Sequence, residues 1–163
     1  MKGDYPYYGA AKVFDYIDQY IFDGNYLLVA EDGSVITSDG HPVLQLARGR
    51  FWVNNHAHVL QGRAPVSTEY LFLALERYPI QGHITGAAQP KITQGNLNRI
   101  PVSVGPSDLM KKFQNLVSPL FGLRGQLEAA NQRLVASRDV LLPRMISGDL
   151  PVAAAEAERE TAA

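Results

Sequence analysis

The C-terminal third of the chain carries its most regular pattern of apolar and polar positions. Between residues 107 and 147, small or apolar residues recur at alternating intervals of four and three without a slip. The positions are Leu109, Phe113, Leu116, Leu120, Leu123, Leu127, Ala130, Leu134, Ser137 and Leu141. Such an a/d repeat is typical of a helix that buries one narrow seam against another helix. It therefore predicts a long coiled-coil helix.

The flanking residues predict where this helix begins and ends. Ser107 suits the N-cap position, Asp108 is favourable in the first turn, and Gly148 suits the left-handed position after the last turn. Such a helix extends on the order of 50 Å, which is too long for a small domain to cover, so it needs a partner. Pro119 predicts a kink with a continuing axis, and Pro143 predicts a bend or an end.

The residues before the helix predict short strands and turns. Strands are expected at 5–8, 17–22 and 26–30, and the Asp-Gly pair at 32–33 predicts a hairpin between 26–30 and 34–37. The aromatic residues between Tyr5 and Tyr26 are interpreted mostly as core and sheet residues.

Further elements follow along the chain. Ser67 or Thr68 should cap a short helix that runs to Arg77. The other predicted elements are strands at 51–55 and 56–60 (a pair, or one long bent strand), 80–85 and 100–104, and a helical turn at 93–98. The predicted fold class is α+β: a small twisted-sheet domain over 1–105, a long helix over 106–148 and a flexible tail over 149–163.

Composition narrows the class of protein. A hydrophobic content of 46% in 163 residues excludes a disordered chain. No apolar run is long enough to cross a bilayer, and the N-terminus lacks a signal-peptide pattern. The chain has no cysteine, which excludes disulfides and thiolate metal sites and fits a cytoplasmic protein.

The charge is unevenly distributed although the net charge is only −1. Residues 1–40 hold two lysines and seven acidic residues, whereas residues 41–105 hold six basic and two acidic residues and all four histidines. A chain polarised in this way can present a basic face to nucleic acid without a net positive charge. Random scatter of surface charge explains this feature equally well.

The most conspicuous candidate site is the run 54–58. His56 and His58 would share one face of a strand, and with His83 or His41 and an acidic residue they could form a mononuclear metal site. As an alternative, Asn54, Asn55 and the two histidines are suited to contact bases and phosphates. Structural hydrogen bonds at a strand–loop junction are the third interpretation.

A second candidate is the loop of small residues at 86–90. Its small residues permit close approach of a phosphate backbone, and Gln89, Lys91 and Gln94 offer contacts. The spacing matches no nucleotide-binding motif. No nucleophile–base arrangement or carboxylate pair stands out in the sequence, so we expect no catalysis and no cofactor.

The run RLVASRDVLLPRMISGDL, at 133–150, resembles the end of a specificity subunit of a type I restriction–modification system. Family members end each half with a long helix and an LRxxLLPRLxSGEL pattern, which resembles the run RLVASRDVLLPRMISGDL. The matching positions are Leu134, Arg138, Asp139, Leu141, Leu142, Pro143, Arg144, Ser147, Gly148 and Leu150. Blocks at 5–10, 15–24, 26–33, 51–60 and 85–94 follow the family's target-recognition domain in the same order.

The resemblance implies a non-catalytic subunit without a cofactor. Its recognition domain, 1–105, would bind double-stranded DNA, and the spacer helix would follow. The partners implied are methyltransferase (modification) subunits and, through them, the restriction subunit. The expected DNA contacts are Lys12, Asn54, Asn55, His56, His58, Gln89, Lys91 and Gln94.

The chain departs from the family pattern in two ways. It has one recognition domain and one helix where the family has two of each, and Met1 lies almost at the Tyr-Pro motif, where the family has an upstream strand. The resemblance therefore implies a half-subunit, trimmed or complete. Two copies pairing through antiparallel helices would read both halves of a palindromic target. The alternatives are a metal-dependent enzyme built on His56 and His58, and an assembly module that binds no DNA.

Overall fold

The structure is a computed structural model that describes residues 3–149. Its strands are β1 (Tyr5–Tyr8), β2 (Val13–Ile17), β3 (Phe22–Ala30), β4 (Leu44–Val53) and β5 (Ala57–Leu60). The helices are α1 (Thr68–Glu76), a 3-10 turn (Ile80–His83), α2 (Gln94–Leu97) and α3 (Ser107–Ile146). A mixed sheet followed by one long helix confirms the predicted α+β class.

The five strands form one sheet in the order β2-β1-β4-β3-β5. Strand β1 is antiparallel to β2 and parallel to β4, and β3 is antiparallel to both β4 and β5. The strands predicted at 51–55 and 56–60 thus exist as the end of β4 and as β5. Both alternatives, a strand pair and one long bent strand, are wrong, because β4 and β5 are separate strands that flank β3 on opposite sides.

Strand β4 is strongly bent. Gln45, near its start, donates a hydrogen bond from Nε2 to the carbonyl oxygen of Gly9 (2.8 Å), and the backbone N–H of Asn54, after its end, donates to that of Tyr8 (3.0 Å). In a straight strand Gln45 and Asn54 would lie roughly 30 Å apart, yet they contact adjacent residues. Gly49, in the middle of β4, adopts a φ of +71°, which favours glycine and bends the strand.

The bend encloses an aromatic core on one face of the sheet. Phe51 is fully buried, and its ring centroid lies 5.3–5.7 Å from those of Tyr8, Phe22 and Tyr26. The aliphatic members of this core are Leu28, Ala47, Val53 and Ala57. These aromatic residues are core residues, as the sequence predicted.

Other aromatic residues in the same stretch are not core residues. Phe14 is 61% exposed, and Tyr16 and Tyr20 are also exposed. Phe14 and Tyr16 lie on β2, the outermost strand, where neighbouring strands cover only one side. Phe14 and Tyr16 are thus sheet residues, as expected, but they are not core residues, and the prediction is wrong only at Tyr20, which lies in neither the sheet nor the core.

Four other predictions are wrong: the strands expected at 17–22, 80–85 and 100–104, and the hairpin after residues 26–30. Residues 18–21 form the connection between β2 and β3, so the strand expected at 17–22 is absent from this part of the structure. The predicted hairpin does not form: β3 pairs with β4, and Ile36 bridges to Pro42. Residues 80–83 form the 3-10 turn, and residues 100–104 have no regular structure.

The two short helices confirm their sequence predictions. Ser67 caps α1, with its Oγ accepting a hydrogen bond from the N–H of Tyr70 (3.1 Å). Thr93 caps α2 in the same way, accepting from the N–H of Asn96 (3.2 Å). Both caps satisfy amide groups that have no partner within the helix.

Helix α3 contains two prolines, Pro119 and Pro143. The helical assignment continues through Pro119 and Pro143, so Pro143 does not end the helix. Ser107 is its first residue and not its cap, since the N–H of Met110 donates to the carbonyl oxygen of Pro106. No helix within residues 3–149 is both long and apolar enough to span a membrane.

Two compact units divide the chain at Val117 and Ser118, within α3. Unit 1, Met1–Val117, contains the sheet, the short helices and the first turns of α3, and Met110 and Val117 are buried there. Unit 2, Ser118–Ala163, contains the rest of α3. Of the tail predicted at 149–163, only Asp149 lies within the described residues, and Leu150 of the family pattern lies outside them.

Candidate nucleic-acid interface

Four loops of unit 1 meet at one place, which we call the loop cluster: residues 9–12, 31–32, 54–56 and 85–91. Backbone hydrogen bonds connect Asn54 to Tyr8 and Glu31 to the carbonyl oxygen of His56 (2.9 Å). Asp32 forms an isolated β-bridge with Lys91. The bend of β4 makes this meeting possible, since it carries residues 54–56 back to the turn after β1.

The loop cluster contains most of the residues predicted to contact DNA. They are Lys12, Asn54, Asn55, His56, Gln89 and Lys91, whereas His58 lies on β5 and Gln94 begins α2. Asn55, Gln89 and Gln94 are exposed. Lys12 is also exposed, with its Nζ 5.9 Å from the centroid of the Phe14 ring. The tertiary structure thus brings together side chains that are far apart in sequence.

His56 is oriented by an acidic neighbour. Its Nδ1 lies 2.8 Å from Oδ1 of Asp32, and its backbone N–H donates to Oδ1 of Asn54 (3.0 Å). A carboxylate only accepts, so Nδ1 carries a proton and Nε2 remains as the second ring atom for contacts. Because His56 precedes β5 in a turn, the expectation that both histidines lie on one strand is wrong.

His58 has a structural role. Its Nε2 donates to the carbonyl oxygen of Ile92 (2.7 Å), which holds β5 against the segment before α2. The protonated Nε2 cannot bind a metal ion. In residues 3–149, no group of three or more His, Cys, Asp or Glu side chains is placed to hold one. The metal-dependent alternative therefore gains no support from the geometry.

Lys91 is engaged by acidic residues. Its Nζ lies 3.0 Å from Oε1 of Glu31. The hydrogen bond to Glu31 and the charges of Glu31 and Asp32 raise the pKa of Lys91. A phosphate contact at Lys91 would have to compete with this ion pair. The negative charges of Glu31 and Asp32 balance the positive charges of Lys12 and Lys91. We therefore expect the amide side chains of the loop cluster, rather than its charged side chains, to make the specific contacts.

The sequence patterns did not predict that Arg50 lies over the ring of Tyr20. Arg50 lies 4.9 Å from the centroid of the Tyr20 ring and 3.1 Å from Oδ2 of Asp23. Tyr20 also makes an edge contact with Tyr5 at 5.0 Å. The signal available was strand alternation: Arg50 and Phe51 are neighbours on β4, so a buried Phe51 places Arg50 on the opposite face.

The α3 seam, defined by the a/d positions given above, is largely exposed in a single chain. Six of its leucines are 53–70% exposed: Leu109, Leu116, Leu120, Leu123, Leu127 and Leu134. Ala130, Ser137 and Leu141 are half-buried, as is Phe113, whose ring lies 5.3 Å from that of Tyr70. The seam is therefore available to a partner along most of its length.

Comparison with known proteins identifies one family. The family model for the type I restriction modification DNA specificity domain matches residues 1–116. A Haemophilus influenzae protein, whose name assigns it to the type I restriction enzyme specificity subunits, is 31% identical over 126 residues, covering 77% of this chain and 32% of that protein. The Escherichia coli type I restriction enzyme EcoprrI specificity subunit is 23% identical over 100 residues, 61% of this chain and 24% of its own length. The chain thus spans about a third and a quarter of these relatives.

Proposed function

Because the chain belongs to the type I restriction modification DNA specificity domain family, we propose that it is a DNA-reading half of a specificity subunit. The observation that carries the proposal is the match over residues 1–116, which covers almost the whole of unit 1. Specificity subunits of type I systems act with DNA and with methyltransferase and restriction subunits, and they are not catalytic. This chain would direct such partners to one half of a bipartite target.

The loop cluster supports a place for DNA contact within unit 1. It gathers Asn54, Asn55, His56 and Gln89 from separate parts of the chain. Asn and Gln can bind adenine through two hydrogen bonds in the major groove, which is a base-specific contact. Phosphate contacts from Lys12 and Lys91 would add affinity that is independent of sequence.

The α3 seam supports a second part of the proposal, a symmetric homodimer. Its exposed leucines recur at coiled-coil spacing, and an identical helix offers a complementary set. A two-fold axis would bring in a second recognition domain, so the pair would read both halves of a palindromic target.

The proposal is tested by binding to a pool of duplexes with randomised sequence, in the presence of the cognate methyltransferase subunit. We expect enrichment of a bipartite sequence, with affinity that falls as salt rises. If no sequence is enriched while the two proteins still co-sediment, the chain is an assembly module and its domain does not read DNA.

Two substitutions in the loop cluster sharpen this test. Asn55→Ala should relax preference at one base position, by roughly 1–3 kcal/mol, with other positions unchanged. Lys91→Ala should weaken binding to all sequences alike and lower the slope of log K against log salt by about 1. If both variants bind like the parent across salt and sequence, the recognition surface lies elsewhere on the chain.

A further inference from the structure

An open cleft of about 680 Å³ lies between β3, α1 and the first two turns of α3, all within unit 1. Its polar lining includes Asn25 from β3, Glu69 from α1, and Lys111 and Gln114 from α3. No residue of the loop cluster lines it. The cleft is therefore separate from the surface to which we assign DNA contact.

Glu69 is a buried acid in this cleft. The residue is only 7% exposed, and its carboxylate accepts hydrogen bonds from Nδ2 of Asn25 (2.6 Å) and Nε2 of Gln114 (3.3 Å). Within residues 3–149, no basic side chain forms an ion pair with it, although Lys111 lines the same cleft. Its negative charge is thus held by neutral donors alone.

The side chains of Asn25 and Gln114 each have an amide oxygen that accepts no hydrogen bond. Oδ1 of Asn25 and Oε1 of Gln114 are buried and accept no hydrogen bond within the described structure. Rotating either amide would not help, because its oxygen would then face the Glu69 carboxylate. Buried acceptors without donors are costly. Two such acceptors beside a buried negative charge favour a ligand that is positively charged and rich in N–H donors.

We propose that the cleft binds a guanidinium or primary ammonium group, with Glu69 as the counter-charge and the amide oxygens of Asn25 and Gln114 as further acceptors. A guanidinium offers five N–H donors in one plane, and an ammonium offers three. Bare cations without N–H groups would satisfy the charge and leave the oxygens without donors. Because α3 supplies Gln114, such a ligand would connect the start of α3 to β3 and α1.

The test is an NMR titration of the full-length, isotopically labelled chain with methylguanidinium. We expect saturable shifts confined to residues that line the cleft. Tetramethylammonium, which has no N–H, should cause no saturable shift. Glu69→Gln preserves the shape of the side chain and should weaken methylguanidinium binding by about tenfold, since a hydrogen bond to a charged group is replaced by a neutral one. Lys111→Ala should strengthen binding, because it removes a like charge.

A matched control is Glu76→Gln, which removes an exposed acid from the same helix and should leave methylguanidinium binding unchanged. The proposal is overturned if the parent shows no saturable shifts in the cleft. It is also overturned if Glu69→Gln binds as tightly as the parent, or if tetramethylammonium binds equally well.

A competition experiment with the methyltransferase subunit identifies the source of the cation, and it rests on the proposed function. If the cation is a basic side chain of the methyltransferase subunit, methylguanidinium should compete with that subunit, and Glu69→Gln should weaken their assembly. If it is a small free molecule, methylguanidinium should bind equally well to the assembled complex. Either result supports the same chemistry in the cleft, and neither depends on DNA binding.

Discussion

The two units of the chain differ in how far their apolar side chains are buried. In unit 1, the bend of β4 encloses Phe51 completely, and the aliphatic residues of β3 are buried beside it. In unit 2, Leu123, Leu127 and Leu134 are more than half exposed. Unit 1 thus obtains its hydrophobic stabilisation from its own residues, whereas most of the α3 seam is not covered by any residue within 3–149.

The largest expected effect comes from charges on the seam. Leu123→Glu with Leu127→Glu would place four carboxylates in the interface of a homodimer, each at a cost of several kcal/mol. In a single chain these positions are exposed, so folding of unit 1 should be unaffected. We expect monomers in sedimentation and loss of specific DNA binding, with an unchanged circular dichroism spectrum in the strand region.

Gln126→Glu with Ala129→Glu is the matched control, because it adds the same charge at exposed positions off the seam. This variant should sediment like the parent. A parent protein that remains monomeric at tens of micromolar in the absence of its methyltransferase would contradict the homodimer. The α3 seam would then be a docking surface for that subunit alone.

The next largest effect should come from the core of unit 1. Phe51→Ala removes a fully buried ring in contact with three aromatic neighbours and should lower the free energy of unfolding by about 3–5 kcal/mol. Phe14→Ala makes the same change at a position that is 61% exposed, and should shift that free energy by no more than about 0.5 kcal/mol. Urea unfolding measures both, and equal losses would refute the core assignment.

The smallest effect concerns Glu69 and depends on pH. Burial raises the pKa of Glu69, but hydrogen bonds from its own backbone N–H, Gln114, Asn25 and Ser67 outweigh this, and the pKa lies below its ordinary value of 4.5. The unfolded chain therefore binds this proton first as pH falls. The stabilisation is complete above pH 4.5 and is lost as pH falls through the folded pKa.

Glu69→Gln should remove this contribution. In urea unfolding, the parent should exceed the variant by about 1 kcal/mol at pH 7, and the difference should shrink as the pH falls below 4.5. Glu76→Gln controls for the change in net charge. A difference between parent and Glu69→Gln that is constant from neutral to acidic pH would mean that the carboxylate is not held in its charged form.

Features that depend on neighbours in sequence could be predicted from the sequence. Ser67 and Thr93 cap their helices because the groups they satisfy lie three residues away. The α3 repeat predicted a long helix with an exposed apolar face. The helix continues through Pro119, as the unbroken repeat predicted. The family blocks likewise identified the candidate residues for DNA contact, without their geometry.

Only the tertiary structure decided how the strands pair. The Asp-Gly signal at 32–33 favours a local hairpin, but β3 instead pairs along its length with β4, which also buries Leu27 and Leu28. Burial of apolar area outweighs one favourable turn. The bend at Gly49 follows from the same packing, and it brings Asn54 to Tyr8 and forms the loop cluster.

The cleft around Glu69 is the clearest example of a feature that local sequence patterns cannot predict. In sequence, Asn25, Glu69 and Gln114 are separated by about 45 residues each, and each alone is an ordinary polar residue. Their grouping needs β3, α1 and the start of α3 in one fold. Local patterns therefore determined the long helix and the helix caps, whereas long-range packing determined how the strands pair and which side chains meet, because those contacts depend on every element that folds between them.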